Sequence, residues 1–285
     1  MSHVVAVDIG GTKLAAAIVD DAGTIVARAR DATPATRDAE VLFAALSAVI
    51  DSLPADLRAT ATACGVGSGG PMRDGGALVS PVNIPAWRDF PLRDRLHAHT
   101  GLATRVDNDA KALALGEGWL GAAAGMRNYI AMVVSTGIGG GIVSDGRLLD
   151  GSDGNAGHIG HVIVEPEGRL CGCGAHGCVE AAASGTAIRA ITGDAPEHAT
   201  PEVIERSGRL VGRAVASVAN LLDLPFAVVS GSVALGFGAA FFDAAQTELD
   251  ARCRLDFSLG TRIIPGGLGA DGPIIGAAAV ALRPT

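Results

Sequence analysis

Short apolar runs dominate the first thirty positions of the chain: Val4 to Val7, Leu14 to Val19 and Thr24 to Ala29, each bounded by glycine or aspartate. Runs of this length, separated at Gly10-Gly11 and Asp21-Ala22-Gly23, predict three strands joined by tight turns, a meander. The period then lengthens. Val41, Leu42, Ala45, Leu46, Val49 and Ile50 recur at helical spacing and predict a helix over about 39–51. The longest helical pattern starts at Thr200-Pro201, with threonine as N-cap and proline at the first helical position, and continues through Val203, Ile204, Leu210, Val211, Val215, Val218 and Leu222. Another begins behind Arg105-Val106-Asp107-Asn108-Asp109, where Ala110, Leu113, Ala114 and Glu117 keep the spacing. Short strands alternating with helices predict an α/β protein.

The chain also echoes itself. Asp8-Ile9-Gly10-Gly11-Thr12-Lys13 leads into an apolar strand and then Asp21-Ala22-Gly23; Ser135-Thr136-Gly137-Ile138-Gly139-Gly140-Gly141 leads into another and then Asp145-Gly146. Two similar lobes, each contributing a hairpin loop to one cleft, would produce this echo, and abundant glycine could produce it by chance.

Composition narrows the class. At 285 residues and 48% hydrophobic content the chain can bury a sizeable core. A net charge of −8 without any Lys/Arg-rich run lacks the footprint of a nucleic-acid binder, which favours a small-molecule partner. No apolar stretch reaches the ~18 residues of a membrane span. The opening Met1 to Asp8 enters a strand at once, without a basic segment and cleavage site, so a cytoplasmic protein with no membrane partner is expected. Cys64 and Cys253 stand alone in apolar surroundings and read as small buried hydrophobes.

Glycine turns between strands expose backbone N–H groups and let phosphate oxygens approach, and both Gly10-Gly11-Thr12 and Thr136-Gly137-Ile138-Gly139 have this form. Each taken alone is equally an ordinary hairpin turn. Gly65-Val66-Gly67-Ser68-Gly69-Gly70 matches a dinucleotide fingerprint on paper, but Pro71 follows and no helix begins, so that match is rejected. Asp8, at the end of its strand, could hold magnesium near phosphates or merely cap the turn. In Asp107-Asn108-Asp109 a carboxylate faces the positive end of a helix and could take a proton from a sugar hydroxyl; plain helix capping is the alternative.

His161, Cys171, Cys173 and Cys178 offer three thiolates and an imidazole for a tetrahedral zinc site. Free thiols are the alternative, and disulfides fit a cytoplasmic protein poorly. Four protein ligands would close the site and make the metal structural. The second ring nitrogen of His161 would then be available to a sugar hydroxyl.

These motifs, in order, resemble the signatures of the ROK (repressor, open reading frame, kinase) family: Asp8 to Lys13, Asn108-Asp109, Ser135 to Gly141, Gly157-His158-Ile159-Gly160-His161, and Cys171-Gly172-Cys173-Gly174 through Cys178-Val179-Glu180, with Ser230-Gly231-Ser232 similar to a later adenosine motif. The resemblance implies an α/β, two-lobed, actin-like ATPase (ribonuclease H-like) fold with an interlobe active-site cleft. It would have an N-terminal lobe over 1–118, onto which a C-terminal helix over 271–285 packs, and a C-terminal lobe over 119–270 that carries the zinc motif. It implies ATP, Mg2+ and structural Zn2+ as cofactors and a homodimer or homotetramer. By the same resemblance Asp109 is the general base. Asn83, Asn108, His158, His161 and Glu180 bind the sugar, Asp8, Gly10, Gly11, Thr12, Lys13, Thr136 and Gly137 hold magnesium and phosphates, and Gly231 lies against adenosine.

One position departs from a common pattern. Relatives that act on glucose or N-acetylglucosamine commonly carry glutamate where this chain has His158, whereas Gly-His-Ile-Gly-His and Lys-Leu-Ala-Ala-Ala are similar to bacterial N-acetylmannosamine kinases. An imidazole can donate or accept where a carboxylate only accepts, which changes which epimer is satisfied; His158 could also be a neutral variant in a broad-specificity enzyme. The expected reaction is phosphorylation of the 6-hydroxyl of N-acetylmannosamine, with glucokinase or N-acetylglucosamine kinase as alternatives. Of other classes, a sugar-responsive repressor would add a DNA-binding domain before the first strand, where seven residues precede Asp8, and an idle sugar-binding protein would leave the glycine turns and Asp109 without purpose.

Overall fold

The predicted meander forms: β1 (His3–Ile9), β2 (Lys13–Asp20) and β3 (Ile25–Ala32) pair antiparallel in turn. Asp20 accepts hydrogen bonds from the N–H groups of Thr24 and Ala22, which tightens the second turn and holds its carboxyl below the usual carboxylate range. Val4 to Val7 are all buried, as expected of a strand covered on both faces, where alternation gives way to a continuous apolar run. Helix α1 (Ala39–Asp51) starts where Asp38 accepts from the N–H groups of Glu40 and Val41, and it turns Leu42, Leu46 and Ile50 into the core. After α2 (Ala55–Arg58) comes β4 (Ala61–Ser68), parallel to β1. The small ribbon of β5 (Met72–Arg73) and β6 (Leu78–Val79) follows, then α3 (Leu92–Thr100), β7 (Ala103–Asn108), parallel to β4, and α4 (Asp109–Leu120). The sheet order is β3-β2-β1-β4-β7.

The same plan recurs further along the chain. β8 (Tyr129–Val134) pairs antiparallel with β9 (Ile138–Ser144), and β10 (Arg147–Leu148) completes that side. Helices α5 (Val179–Ala183), α6 (Gly185–Thr192) and α7 (Pro201–Leu222) precede β11 (Phe226–Ser230), which is parallel to β8. After α8 (Ser232–Phe237) and α9 (Ala239–Arg252), β12 (Arg262–Pro265) adds in parallel, giving the order β10-β9-β8-β11-β12. In both sheets, therefore, a central strand carries an antiparallel hairpin on one side and two parallel strands on the other.

This computed structural model describes residues 2–282, which group into two compact units, 2–120 with Leu148–Ala156 and 270–282, and Gly121–Arg147 with Gly157–Gly269. The segment Leu148–Ala156 thus groups with the first unit, whereas the sequence expectation put it in the C-terminal lobe over 119–270. The last helix, α10 (Gly272–Leu282), packs on β4 and α4; residues 283–285 of the segment expected to be helical lie outside the described residues. Gly65 shows why β4 is rich in glycine: a Cβ there would sit 2.0 Å from the carbonyl oxygen of Ala277. Gly65 and Gly67 of the fingerprint-like run lie in the strand β4 and face helices α10 and α4, so the run does not lead into a nucleotide-binding helix. Cys64 and Cys253 are both buried. Among the described residues no helix is long and apolar enough to cross a membrane.

Candidate functional site

In the first unit the candidate residues collect at the carboxyl ends of the parallel strands, the edge where open α/β sheets bind ligands. Register aligns Asp8 of β1 with Gly67 of β4 and Asp107 of β7, and the next row aligns Ile9, Ser68 and Asn108. The turn beyond β1 is closed by a bond from the Gly10 N–H to the Lys13 carbonyl, while the Thr33 hydroxyl donates to the Gly10 carbonyl. Thr12 and Lys13 are exposed at its tip. Asn83 stands against this turn: a Cβ added at Gly11 would meet its Nδ2 at 3.0 Å, and one at Gly69 would meet its Oδ1 at 3.3 Å.

Asp109 is the first residue of α4 and is exposed, while Asn108 is buried. Both side chains accept from the Ala110 N–H, Asn108 Oδ1 at 3.0 Å and Asp109 Oδ1 at 2.8 Å. Capping is therefore present, and it orients the Asp109 carboxylate. The Asp8 carboxyl is pushed up to about 6 by burial, with Lys13 opposing and the negative charge of Asp109 adding to the rise. A carboxylate in that condition suits a divalent cation, whose charge would relieve both causes.

Sequence reasoning passed over Lys111. Its side chain is 1% exposed, and its ammonium donates to Asp107 at 3.1 Å, Asp150 at 2.7 Å and the Gly154 carbonyl at 3.1 Å. Burial raises the Asp107 carboxyl, and Lys111 opposes the rise. The i,i+4 spacing of Asp107 and Lys111 was a legible signal of pairing. Asp150 and Gly154, some forty residues on, were not. Asn155 adds a second tie to this loop, accepting from the Met72 N–H and donating to the Met72 carbonyl.

In the second unit Thr136 and Gly137 form the turn between β8 and β9, and Gly231 follows β11 on the same strand edge. Gly231 has φ 103°, and a Cβ there would lie 2.3 Å from the Val134 carbonyl oxygen, so only glycine fits. The Ser135 and Ser232 hydroxyls are 2.9 Å apart, joining the two segments. Beside them opens a cavity of about 680 Å³, lined by Thr136, Thr186, Arg189, Glu197, Ser232 and Phe237. Arg189 and Glu197 are charged members of this lining that no sequence motif pointed to.

The four predicted metal ligands also converge. Their donor atoms lie within 4.8 Å of one another, with Cys171 Sγ 3.7 Å from His161 Nδ1 and Cys173 Sγ 3.7 Å from Cys178 Sγ. A tetrahedron with zinc–sulfur bonds of about 2.3 Å has edges near ~3.8 Å, so the set fits that ion. The Cys178 thiol is pushed up to about 12 by burial and by its neighbouring thiols, while the Ala175 backbone N–H and then Cys171 hold Cys173 below the usual thiol range. His161 turns Nδ1 towards the thiols, and the His158 ring lies nearly parallel to it at a centroid distance of 6.2 Å. Glu180, two residues after Cys178, accepts from the Ile138 N–H at 2.9 Å and so reaches the glycine turn.

Comparison with known proteins places these features in a group. The model of the ROK family matches residues 4–283. The chain is 39% identical over 249 residues to an N-acetylmannosamine kinase of Citrobacter koseri, covering 82% of this chain and 84% of that protein. A ROK hexokinase from Thermus thermophilus is similar in structure with a TM-score of 0.86 at 32% identity, over 98% of this chain and 97% of the other. A ROK glucokinase from Streptomyces griseus, crystallised with glucose and AMPPNP, gives 0.83 at 30% identity, over 98% and 99%.

Proposed function

This chain belongs to the ROK family, and from that premise we propose that it is an ATP-dependent sugar kinase that phosphorylates the 6-hydroxyl of N-acetylmannosamine. The two like sheets are those of the actin-like ATPase fold. The observation that carries the catalytic reading is the edge of the first sheet, where Asp8, the Gly10 turn, Asn83, Asn108 and Asp109 come together. The choice of sugar rests on the likeness to N-acetylmannosamine kinases and on His158.

Asn83, Asn108, His158, His161 and Glu180 would bind the sugar hydroxyls and acetamido group, their mix of donors and acceptors suiting a polyol. Asp109 accepts the proton of the 6-hydroxyl as that oxygen attacks the terminal phosphorus of ATP, and ADP leaves. Backbone N–H groups and hydroxyls of Gly10, Gly11, Thr12, Thr136 and Gly137, with the Lys13 ammonium, hold phosphate oxygens, and Gly231 lies against the adenosine. Asp8 would hold magnesium, directly or through water, and the ion would supply neutralising charge to the phosphates. Zinc on His161, Cys171, Cys173 and Cys178 is structural, and the protein works in the cytoplasm as a homodimer or homotetramer.

An ADP-release assay across N-acetylmannosamine, N-acetylglucosamine, glucose, mannose and fructose tests this directly. The highest kcat/KM is expected for N-acetylmannosamine. A preference for glucose would transfer the assignment to the glucokinase alternative, and no turnover with any of them would remove the kinase reading.

A further inference from the structure

The turn at Ser135 to Ile138 is fastened by one short stretch of chain. Glu180 Oε2 accepts from the Ile138 N–H at 2.9 Å, the Gly185 N–H donates to the Ser135 carbonyl at 2.7 Å, and the Thr186 N–H donates to the Thr136 carbonyl at 3.1 Å. Within the turn the Ser135 N–H donates to the Gly137 carbonyl at 2.9 Å. The carboxylate also presses on the turn: a Cβ added at Gly137 would meet Glu180 Oε2 at 2.9 Å. Three of these four bonds therefore come from residues 180–186, and Glu180 supplies the one made by a side chain.

We propose that Glu180 is a positioning residue for the nucleotide turn, holding the Thr136-Gly137 backbone in its phosphate-binding shape whether or not sugar is bound. This deepens the proposed function and rests on that reading, in which the turn binds phosphate and Glu180 meets the sugar. The physical ground is division of labour within one carboxylate. Oε2 is committed to the Ile138 N–H, a charge-assisted bond stronger than a neutral one, and Oε1 remains to accept from a sugar hydroxyl. A preorganised turn binds phosphate without first losing conformational freedom. Because one rigid group serves both, sugar and nucleotide binding are coupled through it.

The test is calorimetric titration of the full-length protein with magnesium–AMPPNP in the absence of sugar. Glu180→Ala is expected to weaken binding by about three- to tenfold, less than the full worth of a charged hydrogen bond because the Gly185 and Thr186 bonds persist. Glu180→Gln keeps an acceptor oxygen and should retain nucleotide affinity within about twofold of wild type while losing sugar affinity. In a double-mutant cycle Gly137→Ala, whose methyl group crowds Oε2, should cost nucleotide affinity in the wild-type background and much less beside Glu180→Ala.

Unchanged or tighter AMPPNP binding in Glu180→Ala, or additive effects in the cycle, would overturn the proposal, since the carboxylate would then be a sugar ligand only or a competitor for the Ile138 N–H. If Glu180→Ala does not fold, the Gly137→Ala and Glu180→Gln arms decide: full affinity in the first, or a loss in the second as large as the Gly137→Ala loss, overturns it. Failure of the wild-type protein to bind AMPPNP at all would instead sink the kinase reading on which it rests.

Discussion

The two units share one strand plan and differ in how each treats its glycine turn. In the first unit the turn at Gly10 is closed by its own Lys13 and by Thr33, and the side chains crowded at that strand edge are acids, with the Asp8 carboxyl raised to about 6. In the second, the turn at Thr136 is braced by Glu180, Gly185 and Thr186, and the cavity beside it is lined by hydroxyls, glycine and the oppositely charged Arg189 and Glu197. One plan thus supports two chemistries. The first edge concentrates acidic side chains, and the second presents a backbone turn braced from one stretch of chain.

The largest effect should come from removing charge at the first edge. Asp109→Asn is expected to lower kcat by about 10²–10⁴-fold. Sugar affinity measured by titration should stay within a few-fold; turnover near wild type would remove Asp109 from the proton transfer.

Next, the first unit holds a buried cation, Lys111, and the second holds a cluster of cysteines. Lys111→Met leaves Asp107 buried without its partner and should cost about 3–5 kcal/mol in denaturant unfolding. Adding Asp107→Asn should recover part of that, and simple additivity of the two losses would contradict the pairing.

For the second unit, protein purified without chelator should carry about one zinc per chain by metal analysis. Cys178→Ser should lower the content well below that and reduce Tm. Zinc absent from the wild-type protein would leave the cluster as free thiols.

A smaller effect has a defined pH window. Asp8 is raised in the folded protein, so its ionised form costs stability above pH about 6, the cost shrinks as pH falls through 6, and it vanishes below the unfolded value near 4. Without ligands, Asp8→Asn should therefore be more stable than wild type at pH 8 by about 3 kcal/mol, with the gain lost by pH 4. An equal difference at both pH values would refute burial of the charge as its cause. Smallest of all, His158→Glu should move the ratio of kcat/KM about tenfold towards glucose or N-acetylglucosamine. An unmoved ratio would show that His158 does not set specificity.

Much of this architecture could be read from the order of residues, because the signals are local. Short apolar runs bounded by turns marked the meander, helical spacing marked α1, α4 and α7 to within a few positions, and Pro201 begins its helix as expected. The convergence of His161, Cys171, Cys173 and Cys178 was legible for the same reason: they lie in a short stretch, and closely spaced side chains fold onto one point. The repeated motif pointed to two like halves, and the sheets have the same strand pattern. Three features were decided only in space. Lys111 meets Asp150 and Gly154 because a loop forty residues on returns to the first sheet. Glu180 reaches the Ile138 N–H because α5 is laid against a turn that precedes it by forty positions. Gly65 is needed because α10 crosses β4 at backbone contact. Spacing along a chain encodes neighbours within a turn or a strand, whereas a hydrogen bond between distant segments depends on packing that no local pattern contains.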